Sequence, residues 1–145
     1  MKLIKNMVGG FAGAIALNIL HETVKRIDHD APRVDLIGEE GLNKILEKSG
    51  TTPLHGNGLF VATLAGDIIS NGLYYSQIGV GKKKHLLVRG AVYGVAAGAG
   101  ALLLTKPIGL SDAPVTRTQK TKALTIGYYL LGGLVTALCI KALRK

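Results

Sequence analysis

Asp67 sits where a charge is hardest to keep. It lies about eight residues inside the apolar run from Leu59 to Ile78. In a lipid-embedded helix that depth is about 12 Å below the entry interface. A carboxylate there must be paired, neutralised or hydrated. Two chemistries suit it: a proton or cation site, or a hydrogen bond or salt bridge that ties helices together. Asn71 follows one turn later on the same helix face and can share a partner with it. The next apolar run, Leu86 to Leu104, offers Arg89 as a countercharge and Tyr93, one turn deeper, as a hydroxyl donor. Arg89 is equally able to extend outward to the headgroups. These four residues are the candidates for a buried polar or transport role.

A second cluster comprises His21, Glu22, Asp28, His29 and Asp30. Histidine and carboxylate bind zinc or iron, so His21 and His29 are the residues a metal would take. The spacing matches neither HExxH nor an EF-hand loop. A solvated helix extension with a Glu22–Arg26 pair is the simpler expectation, and no metal or cofactor is expected. Ser49, Ser70, Ser76, Ser111 and His55 form no nucleophile–base pattern, so no catalytic residue is assigned and an enzyme is not the favoured reading.

Four long apolar segments position these groups, at about 3–21, 59–78, 86–104 and 123–142. A run of about twenty residues makes a helix of about 30 Å, the thickness of a bilayer's hydrocarbon core. The chain has 48% hydrophobic and 19% charged residues, with 20 glycines and no tryptophan. Many small residues and few aromatic ones suit helices that pack closely in lipid. Gly9 and Gly13, Gly66 with Ala62 and Ser70, and above all Gly90, Gly94 and Gly98 recur at spacing four. Each such stripe is a place for a neighbouring helix. The expected fold is therefore all-α: a single membrane domain over 1–145, with four transmembrane helices in a compact bundle. Within the polar loop 22–58, residues 39–48 place Leu42, Ile45 and Leu46 on one face, which predicts a short amphipathic surface helix.

The net charge of +9 is spread around the ends of apolar runs and forms no continuous basic face. That excludes nucleic acid as the natural partner and points to the lipid bilayer, with anionic lipids at the basic side. With four spans, both termini share a side with the 79–85 turn, where Lys2, Lys5, Lys82, Lys83, Lys84, Lys141, Arg144 and Lys145 meet no acid. Basic residues close to span ends place both termini in the cytoplasm of a multi-pass protein of the cell inner membrane. Cys139 has no partner for a disulfide and reads as a small apolar side chain.

These features predict a non-enzymatic integral membrane component, an accessory or assembly subunit or a scaffold, acting as a homo-oligomer or with other membrane subunits. A small oligomeric proton- or cation-linked transporter or channel using Asp67 is the alternative. A membrane-surface enzyme or lipid-binding protein using the 21–58 region is the third reading.

Overall fold

The computed structural model describes residues 1–145 and is all-α. Its helices are α1 (Lys2–Val24), α2 (Val34–Lys48), α3 (Gly56–Ser76), α4 (Leu86–Leu103), α5 (Ala113–Thr116) and α6 (Gln119–Leu143). Three of them, α1, α6 and α4 with the short turn before it, are long and apolar enough to cross a membrane. The chain thus has the make-up of a multi-pass membrane protein. The helix α3 falls outside that set because Asp67, Asn71 and two tyrosines dilute its apolar residues.

Helix α6 is the centre of the packing, with α1 on one side and α4 on the other. Adjacent glycines make this possible. A Cβ at Gly90 would stand 2.6 Å from the carbonyl oxygen of Gly133, and one at Gly94 would stand 2.6 Å from the Cα of Leu130. At Gly98 it would meet the Cα of Ile126 at 2.7 Å. The α4 stripe therefore lies directly on the backbone of α6. On the other face of α6, Gly13 of α1 packs on Gly132 and Thr136, and Gly9 packs on Ile140. Buried Thr125 and Thr136 turn their hydroxyls back to the carbonyls of Thr121 and Gly132, so they leave no unmet donor between helices.

Helix α3 pairs with α1 rather than with α4. Gly10 packs on the backbone of Gly72 and Ser76 near one end, and Lys25 stands 5.3 Å over the Phe60 ring near the other. The two helices run antiparallel over their whole length. The turn between α3 and α4 is two short 3-10 segments, Gln77–Gly79 and Lys83–His85, with Gly81 at φ +104°. A left-handed residue lets the chain reverse tightly there. Arg89 closes this turn, donating from Nε to the carbonyl of Ile78 at 2.8 Å and from Nη2 to that of Lys82 at 3.1 Å. Arg144 clasps the same end: its guanidinium donates to Asn6 Oδ1 and to the carbonyl of Gly79. Both chain ends and the 79–85 turn thus lie at one end of the molecule.

The opposite end carries a polar cap. Helix α2 starts after Pro32, five residues earlier than the expected 39–48 segment, and Gly38 packs so closely on Thr63 that a Cβ there would stand 2.8 Å from the threonine methyl. The connector, which holds the unanticipated α5, is stitched to this region. Arg33 N–H donates to the carbonyl of Pro114 at 3.0 Å, Ser111 N–H donates to Glu40, and Arg117 donates to the carbonyls of His29 and Ala31.

Gly66 differs from the other striped glycines. It is exposed, and a Cβ there meets nothing within 4 Å, so it contributes nothing to packing inside the chain. Gly94→Ala should cost about 1–3 kcal/mol, because the neighbour it strikes is backbone and cannot yield. Gly66→Ala should be neutral or gain up to about 1 kcal/mol of helix propensity. Denaturant unfolding of both variants in detergent micelles checks the contrast.

Candidate functional site

Asp67 faces α1. Its Oδ2 accepts a hydrogen bond from Asn18 Nδ2 at 2.7 Å, and its Oδ1 accepts one from Asn71 Nδ2 at 2.9 Å. Asn18 also donates to the carbonyl of Ala14 at 2.9 Å, which fixes its amide. No lysine or arginine forms an ion pair with Asp67. Its charge is met by two neutral amides alone.

The expected partners on α4 lie elsewhere. Arg89 is engaged at the turn, as described above. Tyr93 packs its ring 5.3 Å from that of Tyr74, and its carbonyl accepts the Tyr74 hydroxyl at 2.9 Å. The face of α3 that carries Asp67 turns toward α1, while α4 spends its glycine stripe on α6. Sequence proximity in a hairpin therefore misplaces the countercharge. Asn18 takes that role because α1 lies antiparallel beside α3, which sets residue 18 opposite residue 67.

A cavity of about 40 Å³ opens beside the carboxylate. Its walls come from α1 (Asn18, His21), α2 (Asp35, Gly38), α3 (Phe60, Thr63, Asp67) and α6 (Tyr128). The His21 ring meets Tyr128 edge-on, with centroids 6.4 Å apart. Three buried polar atoms at this place make no hydrogen bond within the protein: His21 Nε2, Thr63 Oγ1 and Tyr128 OH. Their residues are 5%, 8% and 3% exposed. Buried polar groups are seldom left without a partner, and a cluster of them marks a place meant for water or a ligand. None of the three was singled out with Asp67 from sequence. Their convergence depends on four elements meeting, and Tyr128 is 61 residues away from Asp67 along the chain.

At the rim stands a charge network. Asp35 accepts from Arg33 Nη2 at 2.7 Å and from Lys25 Nζ at 3.2 Å, and Lys25 also donates to Glu22 at 2.6 Å. His21 Nε2 is 3.4 Å from Asp35 Oδ1, an ion-pair distance without hydrogen-bond alignment. Burial opposes ionisation of Asp35, but His21, Arg33 and Lys25 together outweigh it and hold its carboxyl well below the usual carboxylate range. His29 lies in the turn after α1, with its carbonyl on Arg117. The chain gathers no group of three histidine, cysteine or acidic side chains placed to hold a metal ion. His21 instead belongs to the ion-paired rim.

Comparison with protein-family models, with curated proteins and with solved structures finds no match. The functional reading therefore rests on this geometry.

The rim predicts an acid limit. Unfolded, Asp35 titrates near about pH 4. Its folded value is lower, so its stabilisation is complete above about pH 4 and is lost as the pH falls through the folded value. Hydrogen exchange of α2 in micelles should stay slow down to about pH 4 and rise below it. Asp35→Asn should remove that acid-dependent step and cost roughly 3 kcal/mol at neutral pH by leaving Arg33 and Lys25 without their shared carboxylate.

Proposed function

We propose that this chain is a non-enzymatic integral membrane component, one membrane domain over 1–145 in which α1, α3, α4 and α6 all cross the bilayer. The observation that carries the reading is the division of side chains on α3. Val61, Ile69 and Leu73 are exposed on its outer face, while Asp67 and Asn71 turn to α1. A helix in water would be expected to do the reverse. The 21 residues of α3 reach about 30 Å and lie beside α1 throughout, so a membrane that holds α1 also holds α3. The other three helices expose Ile15 and Ile19, Val88 and Val92, and Leu138 in the same manner.

In this reading both termini and the 79–85 turn are cytoplasmic, in the cell inner membrane. The basic concavity formed by Lys2, Lys5, Lys82, Lys83, Arg144 and Lys145 faces anionic lipid headgroups. The polar cap lies on the other side. Gly66 and Ser70 form a shallow strip on the exposed face of α3, which suits close approach by a helix of a second copy or of another membrane subunit. The role that fits is an accessory or assembly subunit or a scaffold.

Topology tests this directly. In a Cys139→Ser background, a cysteine at Ser49 should react with a membrane-impermeant reagent in intact cells. Cysteines at Lys84 and Lys145 should react only after permeabilisation. Positions 49 and 84 reacting from the same side would mean that α3 does not cross.

The polar cavity favours a second reading, a small oligomeric proton- or cation-linked transporter that uses Asp67. Asp67→Asn should then abolish proton- or cation-driven flux in proteoliposomes while keeping the wild-type elution profile from a sizing column. Loss of assembly together with an absence of flux in the wild type would leave Asp67 a purely structural group.

A further inference from the structure

We propose that Asp67 is a proton-exchange site with one-sided access: it takes and releases a proton through a hydrated cavity open toward the polar cap, and a dry layer seals it from the end that carries the termini. This rests on α3 lying in the membrane and deepens the second reading above.

Size and chemistry select the proton. A buried water needs about 10–15 Å³ of such space, so the cavity of about 40 Å³ has room for roughly three. Anything larger than a few waters is excluded. Two buried hydroxyls, on Thr63 and Tyr128, lack hydrogen-bond partners, while the His21 ring beside them is ion-paired to Asp35. A hydroxyl can donate and accept, which is what passing a proton along a short water chain requires. A metal-ion site would instead gather several oxygens fixed as acceptors, and no group of three histidine, cysteine or acidic side chains is placed here to hold one. Each carboxylate oxygen of Asp67 has a second lone pair, so either can take a proton without losing its asparagine.

Charge around the cavity leaves this carboxylate as the unbalanced group. From α1 it is faced by Asn18, His21 and Glu22, from α2 by Asp35, and from α6 by Tyr128 and Tyr129; α4 contributes no lining residue. Glu22 and Asp35 are matched by Lys25 and Arg33. Asp67 accepts hydrogen bonds from amides alone, with the His21 ring in the same cavity already paired to Asp35. A proton arriving from solvent as hydronium leaves a water behind and converts the carboxylate to a neutral carboxyl.

Access is unequal. Toward the cap, the walls Glu22, Gly38, Phe60 and Leu64 are partly exposed. Toward the other end, Tyr75 and Ile78 are fully buried, and the Tyr75 hydroxyl donates to the carbonyl of Tyr129 at 2.7 Å. Gly10 closes on Gly72 and Ser76, and Gly132 packs on the Tyr75 ring. Tyr75, Ile78, Gly72 and Ser76 line no part of the cavity.

The test is infrared difference spectroscopy on the full chain in oriented proteoliposomes, with isotope-labelled aspartate, after a pH step on one side at a time. The expected result is a protonated-carboxyl band that follows the pH on the cap side alone and is absent in Asp67→Asn. The double variant Thr63→Val, Tyr128→Phe keeps the shape, removes both hydroxyls and should slow the response at least about tenfold. It also keeps the carboxylate in place should Asp67→Asn fail to fold. No aspartate band responding in the wild type, a response to pH on the terminal side, or a response to sodium at fixed pH each overturns the proposal. Cysteine labelling that still places residues 49 and 84 on opposite sides would then show that the spans stand and only the site has fallen.

Discussion

Backbone lies on backbone through the middle of this molecule. Gly132 and Gly133 are neighbours in sequence, so they point to different sides of α6: Gly133 takes the backbone of Gly90 of α4, and Gly132 makes room for the Tyr75 ring of α3. Gly13 of α1 in turn lies on the Gly132 carbonyl, at a distance that a side chain on Gly13 would not permit. In lipid, where burying apolar surface provides little drive, such contact supplies the dispersion that holds helices together. It also sets everything else at a fixed height. With α1 held against α6, Asn18 and His21 are presented at one level. With α3 held against α1 by Gly10 and Gly72, Asp67 arrives at that level too.

The polar cap depends on the same frame. Lys25 and Glu22 reach it only because α1 continues beyond the packed part of the bundle. Once there, they meet Asp35 and Arg33 from α2. The first turn of α6 adds Lys120 on Asp28 at 2.7 Å and the Thr121 hydroxyl on the carbonyl of Asp30 at 2.8 Å. The charges that the sequence concentrates between apolar runs thus serve mainly one another, and the network stops at the rim of the cavity. Beneath it, Asp67 is left without an ion-pair partner, beside two hydroxyls that have no hydrogen-bond partner.

Much of the helical framework could be read from residue order. Apolar run length marks α1, α4 and α6, and spacing at 90, 94 and 98 says that a backbone must lie close to α4. What spacing cannot say is whose. Glycine stripes on α1, α3, α4 and α6 are chemically alike, and a tight turn between Ile78 and Leu86 makes α4 the obvious neighbour for α3. The structure joins α3 to α1 instead, and with that change Asp67 exchanges Arg89 and Tyr93 for Asn18. Gly66 shows the same limit from the other side: its place in a stripe of small residues is identical in kind, yet no element of the chain covers it. The cavity was least legible: Thr63 and Tyr128 are unremarkable singly, His21 stands out only as a metal candidate beside His29, and the three acquire their present meaning only by meeting.

The Arg144 clasp joins parts of the chain that are far apart in sequence. Asn6 belongs to α1, Gly79 to the turn after α3 and Arg144 to the C-cap of α6. One guanidinium thus ties three helix ends to a common level, and without it α1, the turn and α6 would be free to splay from one another there.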